Sequence, residues 1–199
     1  MTTTLRLALL GIVCILQLAV TSSTIVRYES TLRTGALYRI PTAAVDPADV
    51  FRGRYVAVRP TIVIPEPIPR ETQDVLDRIQ LGEPGYVVLG TGDNGLARAA
   101  AVRLDPPPQG DYLKIASAWP QMRENPAQPN LPHVRVGYNL TFSFDRYYMN
   151  DVLAPQAQER VTEAARRDIE NRAWLAVRVK NGAGVIEGLY LDGVPIERR

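Results

Sequence analysis

The chain has 199 residues, 46% hydrophobic and 22% charged, which is enough apolar material for one domain with a proper core and excludes wholesale disorder. Residues 27–199 carry 22 basic against 21 acidic side chains, so the electrostatic footprint needed to bind nucleic acid is missing. The sole cysteine, Cys14, lies in the N-terminal apolar run, which leaves the rest of the chain without a disulfide framework, a cysteine nucleophile or a thiolate metal site.

Leu7 to Val26 is a run of 20 residues without a charge. As a helix it spans about 30 Å, the thickness of a bilayer's hydrocarbon core. Thr21, Ser22, Ser23 and Thr24 weaken its end, but hydroxyls in a helix bond back to the preceding turn. Glu29 and Arg33 continue the helix as an i, i+4 pair, and Gly35 offers a C-terminal cap. A cleaved signal peptide is the competing reading, and Thr21 with Ser23 makes a poor cleavage site for it. Residues 1–33 are therefore expected to form a transmembrane anchor, with a domain over 34–199. Arg27, Arg33 and Arg39 outnumber Arg6, so charge alone favours a cytoplasmic domain. The very short tail before the apolar run instead matches an uncleaved export signal. That form predicts a single pass of the inner (cytoplasmic) membrane, with the domain facing the periplasm.

Beyond the anchor, short runs bounded by Gly, Pro, Asp and Asn predict a mainly β (α+β) fold, a compact antiparallel domain. The expected strands are Ala36–Ile40, Tyr55–Ile64, Gly85–Thr91, Leu96–Leu104, Tyr112–Ala118, Val134–Phe142, Ala173–Val179 and Val185–Leu191. Asn94-Gly95 suits a turn with positive φ at both central residues, Asn181 to Gly184 joins a second hairpin, and Asp192-Gly193 turns into a last short strand, Val194–Glu197. One helix in the C-terminal half is expected over Ala154–Arg172, and a short one around Glu71–Ile79. The proline runs at 65–69, 106–108 and 126–132 mark extended loops or edges.

Gly53-Arg54-Tyr55-Val56-Ala57-Val58 and Gly110-Asp111-Tyr112-Leu113-Lys114-Ile115 share a Gly-x-Tyr-apolar-x-apolar pattern. The echo predicts equivalent strands opened by Tyr55 and Tyr112, with both rings on the inner side, in the core or at its rim. Val45 to Val56, within which Asp49, Arg52, Gly53 and Tyr55 fall, resembles the signature region of the bacterial GDYXXLXY-domain proteins. Gly110-Asp111-Tyr112, Phe144-Asp145-Arg146-Tyr147-Tyr148, the later helix and the closing hairpin follow in that family's order. At the signature itself Arg54 stands for the Asp, Val58 for the Leu and Pro60 for the final Tyr. The resemblance implies a membrane-anchored protein, often encoded beside multi-spanning membrane proteins, and it supplies no activity or cofactor. The candidate binding residues in these segments are Asp49, Arg52, Gly53, Tyr55, Gly110, Asp111, Tyr112, Asp145 and Arg146.

Catalytic chemistry finds little footing. His133 is the only histidine, and a Ser-His site would need Ser117 or Ser143 as nucleophile, with no Gly-x-Ser-x-Gly elbow to expose either. No zinc, calcium or phosphate-loop pattern is present, so neither metal nor cofactor is expected. Phe142, Phe144, Tyr147 and Tyr148 are expected in the core, with a binding groove as the rival reading. The expected function is a non-enzymatic, membrane-tethered accessory or interaction domain, partnering a membrane protein. A small-ligand-binding domain is the alternative, and a hydrolase stands behind both.

Overall fold

The computed structural model describes residues 3–44, 55–124, 133–148 and 173–196. The expected helix over 154–172 and the signature residues Asp49, Arg52 and Gly53 lie outside the described residues. The first element is α1 (Thr3–Thr34), a single helix of 32 residues. Its segment Leu9–Thr34 is long and apolar enough to cross a membrane. Three of the four hydroxyls that weaken the run in sequence, those of Thr21, Ser23 and Thr24, are spent within the helix. Thr21 Oγ1 donates to Gln17 O at 3.0 Å, and Thr24 Oγ1 to Val20 O at 3.2 Å.

Gly35 closes α1 by lacking a side chain, not by a left-handed φ. Its N–H donates to Thr31 O at 2.9 Å, and a Cβ there would press on Thr31 O and Val179 O. The helix end is fastened to the sheet beneath it. Lys180 Nζ donates to Ser30 Oγ at 2.8 Å and Thr34 Oγ1 at 2.7 Å, while Arg178 Nη1 reaches Gly35 O at 3.3 Å. Thr31 is buried at this contact.

The strands are β1 (Ala36–Ala44), β2 (Tyr55–Pro65), β3 (Gly85–Thr91), β4 (Ala97–Arg103), β5 (Tyr112–Ile115), β6 (Ser117–Glu124), β7 (His133–Thr141), β8 (Arg146–Tyr148), β9 (Ala173–Lys180), β10 (Ala183–Leu191) and β11 (Val194–Pro195). A helix, α2 (Arg70–Gln80), follows β2. The fold is mainly β, with two antiparallel sheets. The larger runs β11-β10-β9-β1-β2-β7-β6 with β8 also on β2, and the smaller runs β4-β3-β5. Two turns follow the sequence reading: Asn181-Gly182 (φ 50° and 81°) joins β9 to β10, and Asp192-Gly193 (φ 53° and 79°) joins β10 to β11. The third differs. Only Gly95 takes positive φ, at 74°, while Asn94 Oδ1 accepts the Leu96 N–H at 3.0 Å.

The single expected strand over Tyr112–Ala118 is two. Ala116 is the crossing point, its N–H donating to Thr141 O at 2.8 Å, so β5 pairs with β3 and β6 with β7. β6 runs on through Pro120, which an edge strand tolerates because the missing N–H would face outward.

The inner faces of both sheets and one stripe of α2 build one core. Ile40, Ile62, Leu76, Leu113, Leu140, Leu175 and Leu189 are all at most 1% exposed. α2 is held on β7 by a polar bracket that sequence patterning does not signal. Arg135 donates to Glu66 Oε1 at 2.8 Å, to Gln73 Oε1 at 3.0 Å and to the Tyr138 hydroxyl at 3.1 Å, and Tyr138 in turn donates to Asp77 Oδ1 at 2.9 Å. Burial and the bond to Asp77 push the Tyr138 hydroxyl pKa up. The Ile68 N–H and the Arg135 guanidinium hold the Glu66 carboxyl low.

Tyr138→Phe keeps the ring and removes the bracket's centre, so it should cost about 1 kcal/mol and lower the melting temperature by about 2–4 °C. Leu140→Ala, which opens a cavity in the same strand, should cost about 2–5 kcal/mol. Thermal unfolding followed by circular dichroism separates the two. Equal losses would show that the bracket carries as much as the core.

Candidate functional site

Three partners share the edges of β2. Tyr55–Ala57 pair with β8, Val58–Pro60 with β1 and Thr61–Pro65 with β7. Between β7 and β8 the chain must therefore leave the sheet, and residues 142–145 form that step. The Val58 N–H donates to Asp145 O at 3.0 Å, which ends the excursion.

A groove of about 510 Å³ opens where the ladder changes partner. Val58, Arg59 and Pro60 of β2 form one side, Ser117 and Trp119 of β6 the other, and Thr141, Phe142 and Asp145 the end. Trp119 is 61% exposed although its indole is hydrogen-bonded. Its indole N–H donates to Ser117 Oγ at 2.8 Å, and that hydroxyl lies 2.6 Å from Thr141 Oγ1. Arg59 and Asp145 bring one charge of each sign to the rim. Asp145 and Arg146 approach to 3.6 Å with largely exposed side chains, a contact that adds little stability.

The aromatic group divides. Phe142 and Tyr147 are buried, Phe144 packs against the core and stacks on Phe142 at 5.5 Å, and Tyr148 is exposed. Phe142 thus serves as core and as groove wall together.

The candidate residues fall into two places. Tyr55 opens β2 in register with Tyr148, and Arg146 pairs with Ala57, so Tyr55, Asp145 and Arg146 meet at the β2–β8 ladder beside the groove. Gly110, Asp111 and Tyr112 do not join them. Asp111 and Tyr112 form the seam between the small sheet and the large one, and Gly110 leads into it at φ 90°. Tyr38 Oη donates to Asp111 Oδ2 at 3.0 Å, and the Asp111 carbonyl accepts the Leu89 N–H at 2.9 Å. The Tyr112 ring meets Tyr86 edge-on at 5.8 Å and lies so close to Gly182 that a Cβ there would stand 2.8 Å from Cε2.

The expected equivalence of the two Gly-x-Tyr segments does not hold. Tyr55 begins a strand of 11 residues in the large sheet, whereas Tyr112 begins an edge strand of four in the small one. In β5 it is Leu113 and Ile115 that face the core, and Tyr112 lies half-buried on the other side. Alternation along a strand defines two faces without saying which one is covered.

His133 and Ser117 do not come together as a hydrolytic site would need. His133 pairs with Glu124 at one end of β7 and Ser117 with Thr141 at the other, eight residues away, or about 27 Å along a strand. Among the described residues no three His, Cys, Asp or Glu side chains gather to hold an ion.

Burial, followed by the hydrogen bond to Asp111, pushes the Tyr38 hydroxyl up to about 12. A raised pKa means that the neutral hydroxyl is favoured by folding, so this contribution is present below the ordinary tyrosine value near pH 10 and is lost as pH rises toward 12. Absorbance at 295 nm should include a tyrosine step near pH 12 in the parent. Tyr38→Phe should remove that step, and Asp111→Asn should move it down.

No curated protein and no solved structure matches the chain. The family model described as the GDYXXLXY protein matches residues 17–189, from the middle of α1 to β10. This extent takes in the groove, the seam and the end of the helix alike. The chain belongs to the GDYXXLXY protein family.

Proposed function

We propose that the protein is a non-enzymatic accessory domain, anchored by α1 in the inner membrane, that binds a membrane-protein partner on the periplasmic side through the groove beside Trp119. The observation that carries this reading is the state of that tryptophan. A large aromatic ring oriented by its bond to Ser117 yet 61% exposed gives up part of its rotamer freedom before a partner arrives. Its burial by a partner then costs less ordering, which is how tryptophans come to dominate interfaces. Arg59 and Asp145 give the rim a polar pair that selects orientation more than affinity.

The groove also supports a second reading. About 510 Å³ suits a small ligand. Tyr112 stands outside it on the other sheet, so a ligand would rest on Trp119, Phe142, Arg59 and Asp145.

A photoreactive phenylalanine placed at position 119 of the full chain should link to a second polypeptide in intact membranes. Trp119→Ala should abolish co-purification of that partner from detergent extracts while changing the melting temperature by about 1 °C or less, as an exposed side chain should. Capture of a small molecule with no polypeptide adduct would favour the ligand reading. A reporter fused after Arg199 that is active only in the cytoplasm would overturn the orientation.

A further inference from the structure

We infer that α1 pairs inside the membrane with α1 of a second copy of this chain, through the face that carries Gln17; the inference rests on the reading of α1 as a membrane span. Gln17 sits at the middle of the uncharged run Leu7–Val26, with an exposed side chain. Its carboxamide has two donors and a carbonyl acceptor. Among the described residues none bonds that side chain, although the Gln17 backbone carbonyl takes the Thr21 hydroxyl. Two hydroxyls further along the span are already spent, Ser23 Oγ donating to Val20 O at 2.7 Å and Thr24 Oγ1 to the same carbonyl. Gln17 is thus a polar side chain at mid-span that hydrocarbon leaves unsatisfied, a costly condition that a second helix relieves.

The face around it is patterned for a helix. Leu10, Cys14, Gln17, Thr21, Thr24 and Tyr28 follow one another at steps of four, three, four, three and four, the heptad seam of two helices in register. Cys14, Thr21 and Thr24 are small, so backbones can approach on either side of Gln17. Thr31, the next position of the seam, is buried against β9 and β10. The seam is therefore covered by the protein's own sheet at Thr31 and is open from Leu10 to Tyr28.

The occupant follows from symmetry. Copies of one chain insert in the same direction, so each layer of a parallel pair meets itself. A carboxamide is complementary to its own kind: each Gln17 amide donates to the carbonyl of the other, and both are satisfied at once.

Cys14, one layer from Gln17 and the chain's sole cysteine, supplies the probe. Membranes holding the full chain are first washed with alkaline carbonate, and retention tests the span reading by itself. They are then oxidised with copper-phenanthroline. The parent should give a disulfide-linked dimer on a non-reducing gel. Gln17→Leu makes the span more apolar and leaves insertion intact, yet should lower the dimer yield about fivefold or more, while Gln17→Asn should restore most of it. Cysteine moved to position 16 in a Cys14→Ser background, about 200° around the helix, should link poorly. Release by carbonate would overturn the span and this inference with it. Retention with no dimer, a yield indifferent to Gln17→Leu, equal linking from position 16, or an adduct to a protein of different mass would overturn the pairing alone.

Discussion

The fold depends on the demand that β2 satisfy its backbone groups along 11 residues of strand. No single neighbour is long enough to do so on either edge. β8, β1 and β7 take the work in succession, at Tyr55–Ala57, Val58–Pro60 and Thr61–Pro65. Each handover has a consequence. β1 must leave β9 at Pro41 and turn to β2 at Thr42, which joins the hairpin half of the large sheet to the β7–β6 half. β7 must step aside for β8, and the step from Phe142 to Asp145 makes the end wall of the groove. The candidate site is a by-product of strand pairing.

What the sequence made legible was local. Gly85–Thr91 is read end for end, because Pro84 precedes it and the Gly92–Gly95 turn follows. Asn181-Gly182 and Asp192-Gly193 determine their turns through residues that accept positive φ. What stayed hidden depends on partners remote in the chain. The break at Ala116 is set by Thr141, 25 positions on, and nothing between Tyr112 and Ala118 marks it. β8 is three residues long and exists only because β2 offers an edge.

The candidate site was legible in the same partial way. Asp145 and Arg146 were reachable through their segment, but Trp119, Arg59 and Thr141 were not. A tryptophan in a strand reads as core by composition, but in β6 it is Ala118 that faces the core, and Trp119 falls on the outward face. Asp111 and Tyr112 illustrate the converse. Residues that stand out in a motif can belong to a structural seam, here the contacts to Tyr38 and Gly182 that close the small sheet onto the large one.

Polar bonds in this protein gather where elements of different kind meet. Arg135 and Tyr138 fasten α2, Lys180 and Arg178 fasten α1, and Asp111 with Tyr38 fastens the small sheet, while the core between them is apolar. Such bonds fix angles, which non-directional apolar burial does not. The consequence is largest at α1. One residue, Gly35, separates the helix from β1. β1 then runs nine residues, about 30 Å, pairing first with β9 beside the clamp and last with Val58–Pro60 in the groove. One continuous strand thus connects the end of the helix to the groove wall, with no linker to absorb a rotation. Any constraint on how α1 sits, whether from lipid or from a neighbouring helix, is passed along β1 as a constraint on where the groove faces.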